Sequence, residues 1–200
     1  MTSRSAAVAR ARRVALVVMD VDGVLTDGRM VLSERGDELK AFHTRDGIAV
    51  ELARRAGLRT AMVTGENSAA TTARGTKLGV DAVLVGVRRK GERVEALRRE
   101  LNLPAEAVAF IGDDLLDLPA LQAAGLAIAV ADAAPEVKAA AHLVTRAAGG
   151  TGVLREAMEF ILRAQGTWNT VLAGFVRDHG GVDPVSPGRG SRTPRGRRAR

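Results

Sequence analysis

At 200 residues with 46% hydrophobic side chains, the chain can fill one domain with a sizeable core. Its formal charge of +7 sits at the ends: residues 1–13 hold four arginines and residues 187–200 six, neither with an acid, which leaves −3 for residues 14–186. Five aromatic residues and no tyrosine argue against base stacking, the lack of cysteine excludes disulfides and thiolate metal sites, and no apolar run nears the ~18 residues of a membrane span.

Residues 1–12 read as a basic N-terminal segment. The apolar run after them, Val14–Met19, is too short for a signal-peptide core and meets an acid at Asp20. A soluble cytoplasmic protein is the expectation. Strands are predicted at 14–19, 58–63, 81–85, 108–111, 126–130 and 142–144, each short, aliphatic and bounded by Gly, Asp or Pro. Helices are predicted between them, at about 46–56, 67–78, 90–101, 115–124, 135–140 and 152–164, with Gly57, Gly79 and Gly125 just past three of their ends.

This alternation predicts an α/β fold: a Rossmann-like, doubly wound, mainly parallel sheet covered on both faces. Residues 29–43 break the pattern as two short extended runs around Ser33-Glu34-Arg35-Gly36-Asp37, a β-hairpin projecting from the sheet. The globular domain is expected over 13–166, a last helix or tail over 167–180, and a disordered basic tail over 181–200. That tail is expected to be solvated, with at most nonspecific contact to polyanions; no specific nucleic acid and no membrane are expected as partners.

Ligands of such sheets bind beyond the carboxyl ends of the strands. The first strand ends in Asp20-Val21-Asp22-Gly23, the second in Thr64-Gly65-Glu66, Lys90 opens the helix after the third, and the fourth ends in Gly112-Asp113-Asp114-Leu115-Leu116-Asp117. Each piece has a plain structural reading: an acidic turn, a helix cap, one base among Arg88-Arg89-Lys90. Together they suit phosphoryl transfer through a covalent aspartyl-phosphate. Asp20 is the expected nucleophile and Asp22 the acid/base. Mg²⁺ is the expected cofactor, joining Asp20 and Asp113 to the phosphoryl group. Thr64 and Lys90 would hold that group and offset its charge, while Asp114 and Asp117 orient metal-bound water or Lys90.

These four motifs resemble those of the haloacid dehalogenase superfamily. The longer strings Asp20-Val21-Asp22-Gly23-Val24-Leu25-Thr26-Asp27-Gly28, Arg45-Asp46-Gly47, Val130-Ala131-Asp132-Ala133 and Ala148-Gly149-Gly150-Thr151-Gly152 are similar to its capless branch, which includes the 3-deoxy-D-manno-octulosonate 8-phosphate phosphatases. The resemblance implies that Asp22 also binds the metal through its carbonyl. Spacing agrees with a capless form: 41 residues between Asp22 and Thr64 and 25 between Thr64 and Lys90 leave no room for a lid domain. The family compensates as a homotetramer whose hairpin and C-terminal tail border a neighbour's site, and the same is expected here.

The eight-carbon enzymes typically carry arginine where this chain has Glu66 and Thr151. On a helix at ~100° per residue, Arg74 and Lys77 fall about 80° and about 20° from Glu66, so the three share a face. With Gly65, they form the expected substrate-binding set. The trio resembles the nine-carbon, sialic-acid-type 9-phosphate phosphatases, so the nine-carbon sugar-acid phosphate is the favoured substrate and the eight-carbon 8-phosphate the alternative. Two rivals remain. A response-regulator receiver needs its phosphoacceptor at the end of the third strand, where Val85 stands. A non-catalytic oligomerisation module of a sugar-activating system would have no need of the intact motifs.

Overall fold

A computed structural model of the chain describes residues 4–184. Six parallel strands form its sheet: β1 Leu16–Asp20, β4 Arg59–Val63, β5 Ala82–Leu84, β6 Val108–Gly112, β7 Leu126–Ala129 and β8 Leu143–Val144. Their order across the sheet is β5-β4-β1-β6-β7-β8. The chain steps from β1 outward through β4 to β5, then returns to the other side of β1 with β6. That reversal opens a crevice where the carboxyl ends of β1 and β6 meet, the position open α/β sheets use for ligands. No cap domain interrupts the described residues, and the expected fold class holds.

Every residue of β1, β6 and β7 is buried, which is why these strands read as unbroken apolar runs rather than alternating ones. The helices between them are α2 Thr44–Arg55, α3 Ala69–Leu78, α4 Lys90–Glu100, α5 Leu118–Ala123, α6 Pro135–Ala140 and α7 Val153–Ala164. In α7 the residues Val153, Leu154, Ala157, Met158, Ile161 and Leu162 recur on one face and are all fully buried. Burying each larger one stabilises the fold by roughly 1.5–3 kcal/mol. The core is aliphatic; Phe110 is its one fully buried aromatic among the described residues.

The projecting hairpin pairs β2 Val31–Leu32 antiparallel with β3 Glu38–Leu39. Ser33 shapes its tip, its hydroxyl accepting the amides of Arg35 and Asp37. Little covers it: Met30, Val31, Leu32 and Leu39 are 51–65% exposed. Chain-terminal to the sheet, α8 Trp168–Asp178 packs Trp168 and Val171 inward, with the guanidinium groups of Arg155 and Arg163 over the indole.

Three expectations need correction. Arg4–Ala11, read as part of a separate basic segment, forms helix α1 on the core. Ala7 and Ala11, one turn apart, are fully buried, Arg10 donates to the Gly125 carbonyl, and Gln165 donates to the carbonyls of Ala11 and Val14. The helix expected at 115–124 begins instead as a 3-10 turn, Leu115–Asp117, because Asp114 and Asp117 form a capping box there. Gly125 does not close its helix in a left-handed turn; the preceding residue, Ala124, is extended. A side chain at 125 would strike the Glu106 backbone, its Cβ 2.4 Å from the carbonyl oxygen, so close packing explains the glycine. The basic tail expected over 181–200 lies outside the described residues from 185 onward.

Candidate active site

After β1 the chain winds tightly, with Leu25 and Thr26 donating backbone N–H groups to the Val21 carbonyl. The Thr26 hydroxyl accepts from the amides of Gly23 and Gly28. Both glycines have positive φ, +94° and +75°, which a side chain would strain. This turn leaves Asp20, 5% exposed, at the mouth of the sheet, with Asp22 beyond it. From the end of β4, the Thr64 hydroxyl donates to Asp22 Oδ2 at 2.9 Å and accepts the Glu66 amide.

Lys90, at the first turn of α4, places Nζ 2.8 Å from Asp20 Oδ1 and 2.7 Å from Asp117 Oδ1. The second contact is a hydrogen bond; the first is an ion pair outside hydrogen-bond geometry. Asp117 Oδ2 accepts the amides of Asp113 and Asp114, so both its oxygens are occupied. Gly112 is needed beside it, since a Cβ there would lie 2.6 Å from the Asp117 carboxylate. Asp114 is exposed and caps the short 3-10 turn by accepting the Leu115 amide.

Carboxylate oxygens of Asp20, Asp113 and Asp117 lie within 4.8 Å of one another. One ammonium cannot neutralise three carboxylates. Burial first, and then repulsion by Asp117, push Asp20 up to about 7 against the pull of Lys90. Burial, Asp20 and Asp117 push Asp113 up to about 8. Burial opposes the Lys90 charge, but Asp20 and Asp117 outweigh it and its pKa rises. Asp20 Oδ1 and Asp113 Oδ1 are buried with no hydrogen-bond partner among the described residues. Hard oxygen donors, surplus negative charge and an unpartnered buried oxygen on Asp113 fit a divalent cation. Asp113 and Asp20 have oxygens open to it, whereas Asp117 is spent on Lys90 and the loop backbone.

The Asp22 carboxylate is not part of that cluster. Besides Thr64, it meets Lys40, whose ammonium also contacts Glu38 Oε1 at 2.7 Å. Only 2% of the Lys40 side chain is exposed. Burial works against its charge, but Asp22 and Glu38 more than compensate and raise its pKa. Nothing in Glu38-Leu39-Lys40 marked this residue in the sequence.

Gly65 and Glu66 join Asp20, Asp22, Thr64, Lys90 and Asp113 around a cleft of about 240 Å³. Arg74 and Lys77 do not line it. Helix α3 begins at Ala69 after the Ser68 cap, so Glu66 precedes the helix and the shared helical face does not exist. Arg74 instead donates to the His43 carbonyl and stacks 5.6 Å over Phe42.

The family profile described as haloacid dehalogenase-like hydrolase matches residues 67–156. The 3-deoxy-D-manno-octulosonate 8-phosphate phosphatase KdsC of Escherichia coli (strain K12) is 39% identical over 159 residues, 80% of this chain and 85% of that one. A crystal structure of the Moraxella catarrhalis 3-deoxy-D-manno-octulosonate 8-phosphate phosphatase, in complex with magnesium, phosphate and KDO, superposes with a TM-score of 0.84 at 33% identity, covering 86% of this chain and 99% of that one. A cobalt-bound Haemophilus influenzae phosphatase superposes with a TM-score of 0.78 at 37% identity, covering 80% and 94%. The acid cluster has the hard oxygen donors that such an ion takes. With these likenesses spanning the sheet and its acid-lined mouth, the chain belongs to the haloacid dehalogenase-like hydrolases and is a phosphoric monoester hydrolase.

Proposed function

We propose that the chain is a Mg²⁺-dependent phosphatase of 3-deoxy-D-manno-octulosonate 8-phosphate. The 39% identity to the E. coli enzyme over 80% of the chain carries this reading. It replaces the nine-carbon preference, whose basis was a helical face that Glu66 does not share with Arg74 and Lys77.

Asp20 and Asp113, with the Asp22 carbonyl, are the proposed metal ligands. When bound, Mg²⁺ supplies the positive charge that keeps both carboxylates ionised beside a phosphoryl oxygen. An Asp20 oxygen attacks phosphorus, the ester P–O bond breaks, and Asp22 gives its proton to the departing sugar oxygen. Asp22, now a carboxylate, takes a proton from the water that attacks phosphorus of the aspartyl-phosphate, releasing phosphate and Asp20. Thr64 hydrogen-bonds the phosphoryl group, and Lys90, held by Asp117, offsets its charge. Asp114 shapes the loop that aims Asp113.

A cleft of about 240 Å³ holds a phosphoryl group but little of a sugar acid. The remaining contacts are assigned to neighbouring subunits of a homotetramer. The uncovered hairpin is the proposed contact, and Arg74 and Lys77, which do not line their own cleft, would serve a neighbour's. A cytoplasmic setting goes with this reading; among the described residues no helix is long and apolar enough to cross a membrane.

The test is kcat/KM with Mg²⁺ for the eight- and nine-carbon phosphates. Preference for the eight-carbon ester supports the proposal; preference for the nine-carbon one overturns it. Light scattering that finds a fully active, selective monomer rejects the shared site.

A further inference from the structure

We propose that Lys40 is a positioning residue for Asp22, tying the hairpin's return arm to the group that delivers the leaving-group proton. The inference rests on the proposed role of Asp22. Its observation is a pairing that no local pattern announces: each of the two reacting carboxylates has its own sequestered ammonium. Lys90 holds Asp20, and Lys40, from the segment between β3 and α2, holds Asp22 across 18 positions of chain.

The division of labour between the Asp22 oxygens is specific. Oδ1 faces Lys40 and Oδ2 accepts the Thr64 hydroxyl. Once a phosphoryl group claims Thr64, that second tether is lost and Oδ2 is free to carry a proton toward the ester oxygen. Lys40 then fixes the carboxyl by its other oxygen. As the ester P–O bond breaks, the bonding pair goes to the sugar oxygen, which takes the Oδ2 proton. The negative charge left on Asp22 develops next to an ammonium already in place, a preorganised stabilisation that requires no rearrangement.

A purely structural role is a poor account of Lys40. Buried ion pairs contribute little net stability, because desolvation cancels much of the attraction. The lysine is 2% exposed, while its partners Asp22 and Glu38 are 23% and 20% exposed. Asp22 also lines the cleft, and the cation is the most enclosed member of the trio. The hairpin itself pairs only two residues per strand, so its sheet bonding does little to fix residue 40.

The experiment compares kcat/KM of the full chain and its Lys40→Met, Lys40→Arg and Glu38→Gln variants on two Mg²⁺-dependent substrates. One is an alkyl phosphate, the sugar-acid ester, whose alkoxide must be protonated. The other is p-nitrophenyl phosphate, whose phenolate leaves without a proton. A residue acting through the acid produces a loss of about a hundred-fold on the alkyl ester and little on the aryl ester, with Lys40→Arg recovering part of it. Glu38→Gln shows a smaller loss of the same pattern, and decides the matter with Lys40→Arg if Lys40→Met does not fold. Equal losses on both esters, or none on either, overturn the proposal. A wild-type chain that cleaves neither ester fails the phosphatase reading itself, and the Lys40 role with it.

Discussion

Asp113 lies directly over Gly23, so close that a Cβ at position 23 would fall 2.1 Å from Asp113 Oδ2. The glycine is thus the seat of a candidate metal ligand as well as a turn residue at φ +94°. Gly23→Ala displaces the carboxylate and strains the turn together. Mg²⁺ binding by titration calorimetry is expected to weaken roughly 10–100-fold, the scale seen when a ligand's support is disturbed, with phosphatase activity falling in parallel.

Asp20→Asn separates function from stability. Without the proposed nucleophile, phosphate release is expected to drop at least about a thousand-fold. The same change removes one buried carboxylate from a cluster with too few cations, and Lys90 keeps its hydrogen bond to Asp117. The metal-free variant is therefore expected to melt above the metal-free wild type in calorimetry.

Stability of the metal-free protein follows from the same cluster. Asp20 and Asp113 stand at about 7 and about 8, raised from 3.8. Between those limits the folded state holds protons that the unfolded chain has released. The associated stability is complete below the unfolded value and is lost as pH rises through the folded values. Melting temperature without metal is expected to fall from about pH 4 to about pH 8, less steeply in Asp20→Asn. Added Mg²⁺ binds the deprotonated acids, so its stabilising effect should grow over the same interval.

Asp46 illustrates a cap supplied from far along the chain. Helix α7 starts after Gly152, which has no side chain to cap it, and Asp46 Oδ1 accepts the Arg155 amide at 3.1 Å across 109 positions. Asp46→Ala is expected to cost about 1–2 kcal/mol, a fall in melting temperature of roughly 2–4 °C per kcal/mol for a domain of this size. Asp46→Asn should cost less, because its amide oxygen accepts the same bond.

What could be read in advance was what short stretches encode. The run Val14–Met19 declares a buried strand without help from the rest of the chain. The acids at 20, 22, 113 and 117, the hydroxyl at 64 and the ammonium at 90 each follow or open an element whose periodicity is local. A sheet of parallel strands brings all carboxyl ends to one edge, so element order alone nearly determined their meeting. The gap lengths likewise ruled out a lid. The failed inference about Glu66 came from running a helical wheel two residues beyond a cap that Ser68 imposes.

The sequence by itself determined the fold class, the family and the members of the acid-lined site, because spacing within an element and position at a strand end are properties of neighbouring residues. Tertiary structure alone decided which acids stay open to a cation and which are spent: Asp117 on Lys90, Asp46 on a distant helix, Asp22 on Lys40. It also decided that Ala7 and Ala11 are core. Those pairings join residues far apart in the chain, and burial and hydrogen-bond direction there depend on the path of everything between them.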